Sequence, residues 1–436
     1  MNIQVPGLKE KIRRAGKERV QNLACSIDVN LLKAIHGNMD GKKAVGIDKV
    51  TKAEYGKNLD ENLECLVRRM KSGSYKPKPA RRVYIEKDGS SKKRPLALSS
   101  YEDKLVQVAV ASILEPIYEP KFCGFSYGFR PHRNCHQAVR EVWKDIQYHK
   151  VNYVVEADLH AFFDTLNQQW LIRFLEHDIA DKRLMELIGK MLKAGVMEEG
   201  KFWECDRGSG QGSSASPILA NVYLHYVLDL WFDVRVRKYC RGEAYLVRYA
   251  DDFVTCFQYE SDARQYYQAL KKRFAKFDLS LSPEKTKVIE FGRFAQRSRE
   301  KRHQGKPETF HFLGFTFYCG KSRAGKFLVK VKSDRKKVAK KMKGLHSWLK
   351  EHRKMPVKEL ILKLNRSLKG YYQYYGVTFN YHALAYFRYE VGKALFKWLN
   401  RRSQRKSYTW LEFNRRILEK FPIVKPKISY CLYGST

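Results

Sequence analysis

The segment EAYLVRYADDFVTCFQY (243–259) decides the fold. Its two short apolar runs lie on either side of the acids Asp251 and Asp252, so we expect them to pair as an antiparallel hairpin. Consecutive residues on a strand point to opposite faces, and two adjacent acids cannot both be accommodated in a packed interior. The apex of a hairpin removes this conflict, because both carboxylates can be exposed there.

A second apolar segment, VNYVVEADL (151–159), also ends near an acid. Its β-branched residues predict a buried strand that carries Asp158 at its end. Carboxylates held against a core repel one another unless a cation joins them. Mg²⁺ takes oxygen ligands from one or two carboxylates and from substrate phosphates, and paired ions promote phosphoryl transfer. We therefore predict metal binding by Asp158, Asp251 and Asp252. A solvated, Asp-rich turn is the alternative that YADD alone leaves open.

The rest of the chain mixes helical and extended patterns. Helices are predicted over 8–36, 54–71, 101–119, 132–148, 182–194, 218–239 and 261–277, and strands over 82–87, 92–98, 285–292 and 310–318. After about Lys330 the pattern is helical. This order indicates an α+β fold with an antiparallel sheet, followed by an all-α basic domain.

The charge of the chain indicates a polyanionic partner. Its 436 residues include 85 Lys and Arg against 46 Asp and Glu, a formal net charge of +39, and residues 321–436 alone carry 30 against 6. Such a surplus repels itself in a compact fold unless a polyanion such as nucleic acid neutralises it. Aromatic residues make up 13% of the chain, which excludes a disordered basic tail protein. The aromatic residues between 371 and 398 are either core or a stacking surface for bases.

Cysteine usage and hydropathy exclude several classes of protein. The nine cysteines form no CxxC pair, so neither a disulfide framework nor a zinc ribbon is predicted, and a reducing cytosol is expected. No stretch of about 18 apolar residues occurs, so we predict no membrane helix. The N-terminal residues have no apolar run after their charges and do not predict a secretory signal.

Three phrases in order, ADLHAFFD (157–164), QGSSASP (211–217) and YADD (249–252), resemble the palm of a reverse transcriptase. The phrases FSYGFRP and FHFLGF resemble the same family. The closest likeness is to group II intron reverse transcriptase/maturases, through SYGFRP and SPILANVYLHYVLD. This resemblance implies a right-hand polymerase with an antiparallel palm sheet. Its predicted parts are a helical N-terminal extension (1–36), fingers (37–150), palm with finger-like insertions (151–325) and an all-α basic thumb or maturase X domain (326–436).

The resemblance also implies roles for individual residues in catalysis. Asp158 and Asp251 match the family's metal-binding aspartates, and Asp252 completes the triad, which implies two Mg²⁺ ions with Mn²⁺ as a possible substitute. Lys285 matches a lysine proposed to protonate the leaving pyrophosphate. A further charge in a basic stretch is the alternative for Lys285.

Other residues match the family's dNTP pocket. Phe163 matches the bulky side chain that excludes a ribose 2′-OH, with an ordinary core phenylalanine as the alternative. Lys87 and Arg94 match residues of the fingers hairpin that clamp the triphosphate, with a solvated hairpin face as the alternative. The matches at the nascent base pair and the YADD turn are Gln211, Gly212 and Ala250.

The function implied is an RNA-directed DNA polymerase that extends a DNA or RNA primer with dNTPs on an RNA template and binds its intron RNA to assist splicing and mobility. Two alternatives stay open: an RNA-binding splicing factor with a vestigial polymerase centre, and a domesticated relative with a host role such as phage defence. The tail has no His/Asn cluster and no Cys pairs, so we expect no zinc endonuclease domain. The resemblance implies a bacterial cytoplasmic setting, in a ribonucleoprotein or at the nucleoid.

Overall fold

The computed structural model describes residues 4–16, 18–86, 93–403 and 407–434. The α-helices are α1 (Leu8–Ala15), α2 (Val29–Asn38), α3 (Lys52–Tyr55), α4 (Leu59–Lys71), α5 (Tyr101–Tyr118), α6 (Cys135–Tyr148), α7 (Phe162–Thr165), α8 (Gln168–Asp178), α9 (Lys182–Leu192), α10 (Ser216–Leu224), α11 (Arg237–Tyr239), α12 (Glu260–Lys276), α13 (Ala295–Lys301), α14 (Arg335–Glu351), α15 (Val357–Tyr375), α16 (Tyr381–Leu399) and α17 (Trp410–Phe413). The strands are β1 (Ala80–Glu86), β2 (Lys93–Leu98), β3 (Tyr153–Asp158), β4 (Val196–Glu198), β5 (Lys201–Trp203), β6 (Ala244–Tyr249), β7 (Asp252–Phe257), β8 (Lys287–Glu290), β9 (Phe310–Phe312), β10 (Phe315–Lys321) and β11 (Phe327–Ser333). Short 3₁₀ turns are Ala24–Ser26 and Gly56–Asn58, and π-helical turns are His225–Asp229, Phe232–Val236 and Asn414–Leu418.

The palm sheet consists of four antiparallel strands in the order β6-β7-β3-β8. Alternate residues of a strand point to opposite faces, and in β7 both faces are buried. Phe253 and Phe257 join a core with helices α5, α10 and α12, whereas Val254 and Cys256 join a second core with α6 and strands β9–β11. The predicted antiparallel sheet is confirmed, and its position between two cores fixes the ends of its strands.

The fingers sheet has the order β2-β1-β4-β5. Strands β1 and β2 pair antiparallel from Arg81↔Leu98 to Glu86↔Lys93, as the sequence predicts. The turn between them, with Lys87, lies outside the described residues. Strand β1 also pairs in parallel with β4, so a segment of the predicted palm range completes the sheet of the fingers hairpin.

The predicted single helix over 8–36 is wrong. Helix α1 ends at Ala15 and is followed by Gly16 at φ 57, a left-handed conformation that stops a helix. Helix α2 then starts after its N-cap Asp28, whose side chain accepts from the backbone N–H of Leu31. Both helices pack into the core of the fingers helices, and the proposed boundary at residue 36 falls inside α2.

The third sheet corrects the prediction that residues from 326 onward are all helical. Strand β11 pairs antiparallel with β10 along seven residues, and β10 pairs with β9, giving the order β11-β10-β9. Strand β11 could have been predicted, because its sequence FLVKVKS alternates apolar and polar residues. The helices begin at α14, where the Asp334 side chain accepts from the backbone N–H of Lys337 at 3.0 Å.

Helices α14, α15 and α16 form a third core, which is the basic all-α domain. Its aromatic residues include both core and surface side chains, and base stacking by the surface residues stays a prediction. Tyr371 is buried and its ring stacks on Phe387 with centroids 4.3 Å apart, whereas Tyr381 and Tyr389 are exposed. No described helix is long and apolar enough to cross a membrane.

The end of the described chain returns from this domain to the palm. Leu432 is fully buried in the core formed by α6 and β9–β11. Tyr433 contacts the indole of Trp143 edge to face, with ring centroids 5.0 Å apart. Tyr430 forms a bridge with Val377 and stacks on the imidazole of His136.

Helix α6 buries one carboxyl group with a strongly perturbed pKa. Asp145 is 5% exposed, and burial, with repulsion from Glu141, raises its pKa to about 8. An acid whose pKa is higher in the folded than in the unfolded chain binds an extra proton when folded, so its contribution to stability falls as the pH rises from about 4 to about 8.

We therefore expect Asp145→Asn to raise the melting temperature relative to wild type at pH values above about 8 and to change it little near about pH 4. The neutral amide removes the cost of a buried charge and retains the size of the side chain. Thermal unfolding of both proteins across this range measures the difference. The exposed Asp60→Asn is the control, and a difference that does not grow with pH would contradict the assignment.

Candidate active site

The three predicted aspartates meet at one end of the palm sheet. Asp158 ends β3 and is the register partner of Asp252, the first residue of β7. Asp251 lies in the two-residue turn that joins β6 to β7, after Ala250, which has a left-handed φ of 57. The structure thus brings the predicted triad together at the hairpin apex.

The carboxylates of this triad are electrostatically coupled. Burial and repulsion from Asp158 raise the pKa of Asp251. The pKa of Asp252 is raised to about 6, chiefly by loss of hydration and then by the charges of Asp251 and Asp158. Asp252 nevertheless reaches solvent. The mutual repulsion makes the arrangement favourable for a cation.

Lys285 supplies one positive charge to the triad. Its Nζ lies 2.7 Å from Oδ2 of Asp158, and the hydroxyl of Ser282 donates to the same oxygen at 3.0 Å. The predicted catalytic lysine is therefore placed in the site, in an ion pair with a predicted metal ligand.

Within the described ranges, no group of three or more His, Cys, Asp or Glu side chains is drawn together as a complete metal site. The donors at the hairpin apex nevertheless fit a hard divalent cation. Such ions accept one or two carboxylates and complete their shell with water and substrate phosphate oxygens. Asp158 and Asp251 are the two carboxylates that the sequence predicts for this role.

A buried arginine holds the turn that carries the acids. Arg248 on β6 is fully buried, as is its partner Asp229, and its Nε donates to Oδ1 of that aspartate at 2.7 Å. Its Nη1 donates to the carbonyl of Ala250 at 3.0 Å and to the side-chain oxygen of Asn221 at 3.0 Å. The guanidinium therefore links helix α10, the following π-helical turn and the backbone of the catalytic turn.

The FSYGFRP loop (125–131) packs against the same turn. The side-chain amide of Asn221 donates to the carbonyl of Gly128 at 2.8 Å. A Cβ added at Gly128 would lie 2.2 Å from the backbone nitrogen of Ala250. Only glycine permits this approach, so the loop acts as a fixed backing for the hairpin apex.

The predicted pocket residues Phe163, Gln211 and Gly212 are held by backbone contacts of the glycine–serine loop. The carbonyl of Phe163 accepts from the N–H of Ser209 at 3.0 Å, and the half-buried ring packs against Phe162. The carbonyl of Gln211 accepts from the N–H of Ala97 on β2 at 2.6 Å. Gly212 has a φ of 117, and a Cβ there would lie 2.7 Å from the carbonyl oxygen of Ala97. The glycine–serine loop thus joins the fingers hairpin to the palm.

Arg94 and the turn between β9 and β10 complete the surroundings of the triad. Arg94 is exposed on β2, and its charge opposes the rise in the pKa of Asp251, which places it within electrostatic reach of the acids. The turn contains Leu313 and Gly314, with φ values of 50 and 80. The hydroxyl of Tyr374 donates to the carbonyl of Leu313 at 2.8 Å, which attaches this turn to helix α15.

Sequence reasoning missed the supporting residues Arg248, Asp229, Asn221 and Gly128. One signal was present: Arg248 is the one charged residue in the apolar strand sequence YLVRY (245–249), and a buried charge requires a partner. Nothing in the local pattern indicated that the partner, Asp229, lies on a helical segment.

Comparisons with known proteins agree with this geometry. Residues 85–317 match the family model described as reverse transcriptase (RNA-dependent DNA polymerase), and residues 336–417 match the group II intron, maturase-specific domain. The chain is 30% identical over 412 residues to the group II intron-encoded protein LtrA of Lactococcus lactis subsp. cremoris, covering 76% of this chain and 66% of LtrA. It is 35% identical over 242 residues to protein YkfC of Escherichia coli K12, covering 49% of this chain and 63% of YkfC. The chain thus spans slightly less than two thirds of these relatives.

We expect Gly128→Ala to lower the rate of primer extension about a hundredfold, because displacement of a catalytic group by about 1 Å has effects of this size. The added methyl group must push the Ala250 turn away. Single-turnover extension measures the rate. Gly124→Ala in the same loop is the matched control, since a Cβ there meets no atom within 4 Å. Equal rates for both variants would contradict this role of Gly128.

The contributions of the Arg248–Asp229 pair to the stability of the fold and to the positioning of the turn can be measured separately. Arg248→Met leaves a buried unpaired carboxylate and should destabilise the fold by about 3–5 kcal/mol. The double variant Arg248→Met/Asp229→Leu removes both charges, so we expect it to recover most of that stability. Extension should remain low in both, because the carbonyl of Ala250 has lost its donor. Recovery of activity together with stability in the double variant would exclude a positioning role.

Proposed function

Because this chain belongs to the family of reverse transcriptases that carry a group II intron maturase domain, we propose that it is an RNA-directed DNA polymerase and an intron RNA-binding protein. The observation that carries the proposal is the meeting of Asp158, Asp251 and Asp252 at the hairpin apex, beside the dNTP-pocket residues that the sequence predicts. The reaction is attack of a primer 3′-OH on the α-phosphate of a dNTP, with an RNA strand as template.

Asp158 and Asp251 are the residues that would hold Mg²⁺, or Mn²⁺ in its place. Bound divalent ions supply charge neutralisation at the reacting phosphate and activation of the primer hydroxyl. Arg94 offsets the negative charge of the β- and γ-phosphates, together with the predicted clamp residue Lys87. Lys285, whose Nζ pairs with Asp158, would be the residue that donates a proton to the departing pyrophosphate.

The pocket residues position the incoming nucleotide. The ring of Phe163 lies against the sugar at C2′, where it leaves no room for a hydroxyl, so dNTPs are preferred to ribonucleotides. Gln211 and Gly212 border the nascent base pair, and their backbone attachment to β2 aligns it with the fingers hairpin. Because Ala250 lies next to Asp251 in the turn, its backbone positions that acid for the bound nucleotide.

RNA binding is proposed for the basic domain that follows the palm. Residues 321–436 carry 30 Lys and Arg against 6 Asp and Glu. Most of this segment, residues 336–417, matches the maturase-specific domain. A-form RNA hides its base edges in a deep groove, so template RNA is held mainly through phosphates and 2′-hydroxyls. Assistance to splicing and mobility, and residence in an intracellular ribonucleoprotein, follow from this second activity.

We expect Asp251→Asn to abolish primer extension while leaving RNA binding nearly intact. The amide keeps the size of the side chain but removes the charge that a divalent cation requires. Extension of a primer annealed to an RNA template, in Mg²⁺ and in Mn²⁺, measures the first property. A gel shift with the same RNA measures the second.

The matched control is Asp233→Asn, which removes an exposed carboxylate paired with Arg237 on the same face of one helical segment. It should extend primers as wild type does. Wild-type extension by Asp251→Asn would refute the metal assignment. Strong RNA binding without any extension by the wild-type chain would instead favour a splicing factor with a vestigial polymerase centre.

A further inference from the structure

Helices α14 and α15 of the basic domain enclose a groove with a cavity of about 630 Å³. Its lining residues come from one face of each helix: Lys337, Lys340, Lys341, Gly344, Leu345, Trp348, Lys363, Leu364, Ser367, Tyr371 and Tyr375. A cavity of this size is in the range of small-molecule sites. None of the predicted catalytic or dNTP-binding residues that the structure describes lines it.

The floor of the groove is apolar and partly aromatic. Leu345, Leu364 and Tyr371 are buried there, and Trp348 is half-buried. The groove opens at Gly344, which is exposed and has no side chain to cover the floor. A Cβ built at this glycine meets no atom within 4 Å, so the space above the floor is accessible to a flat group.

The rim of the groove is cationic on both helices. Lys337, Lys340 and Lys341 lie on α14, and Lys363 lies on α15. The Nζ of Lys341 donates to the hydroxyl of Ser367 across the groove at 3.1 Å. Lys363 forms an exposed ion pair with Glu359 at 2.9 Å, which contributes little because both side chains are solvated.

We propose that this groove binds an unpaired nucleotide of an RNA strand, with its base on the apolar floor and its neighbouring phosphates on the rim lysines. The proposal rests on the RNA-binding function proposed above and extends it to one defined site. Stacking of bases on aromatic side chains and attraction of phosphates to flanking cations are the two interactions that bind single strands. The groove supplies both, with an apolar, partly aromatic floor and lysines on both helices.

A paired nucleotide does not match this surface. Bases within a duplex are stacked on both faces, so an A-form duplex offers the protein phosphates, 2′-hydroxyls and base edges but no free base face for the apolar floor. A free mononucleotide matches it less well than a strand. Cations stand on both walls, and a strand that crosses the groove presents a phosphate to each wall.

The test fills the groove without disturbing the fold. Gly344→Leu adds a side chain above the floor, and replacing a helical glycine by leucine favours the helix. Gly370→Leu is the matched control, because this glycine is also exposed in a helix, meets no atom within 4 Å when a Cβ is added, and does not line the groove. Circular dichroism and thermal unfolding confirm that both variants fold.

Fluorescence anisotropy then measures binding of a labelled single-stranded oligoadenylate and of a blunt RNA duplex of equal length. We expect Gly344→Leu to weaken oligoadenylate binding about tenfold, the loss of one stacked base, and to leave duplex binding and primer extension unchanged. Gly370→Leu should match wild type in all three measurements.

Three results would overturn the proposal. Unchanged oligoadenylate binding by Gly344→Leu would exclude the groove as its site. Equal weakening of duplex binding would make the groove part of a duplex path. Binding of AMP as tight as that of oligoadenylate would assign the groove to free nucleotides. Failure of the wild-type chain to extend primers would count against the polymerase function and leave this test of RNA binding intact.

Discussion

The fully buried ion pair between Arg248 and Asp229 is the interaction on which the active site depends. A charge pair without solvent is expensive in free energy unless every polar atom is satisfied, and replacing it by apolar side chains often stabilises a protein. Here the guanidinium also binds Asn221 and the carbonyl of Ala250. Its location is therefore explained by positioning: it fixes a turn in which one residue has a left-handed φ and the next carries a predicted metal ligand.

The hairpin and the triad could be predicted because their signals are local. Strands with β-branched residues, ending at Asp158 and flanking Asp251, are visible in single phrases of the sequence, and the structure places them in one register. The interruption of the first predicted helix was less visible, because Gly16 lies in a pattern that is otherwise helical. Strand β11 was obscured by lysines, although its alternation marks one buried face.

The supporting network could not be predicted because it depends on tertiary contacts. Asp229 is separated from Arg248 by 19 positions, and Gly128 is 122 positions before Ala250, so no local pattern joins these residues. The groove between α14 and α15 was hidden for a similar reason. The sequence showed lysines and aromatic residues in the same segment. Only the packing of the two helices shows that the aromatic residues form the floor of the groove and the lysines its rim. Burial decided which tyrosines are core and which are surface.

The segments that begin and end the basic domain both pack against the palm, and this limits how the domain can move. The domain leaves the palm through β11, which is bonded to β10, and its chain returns there through Leu432 and Tyr433, which pack against the core of α6. Helix α15 adds a further attachment, because the hydroxyl of Tyr374 donates to the carbonyl of Leu313 in the turn between β9 and β10. Any movement of this domain away from the palm would therefore have to break contacts at both of its chain ends and at the turn between β9 and β10.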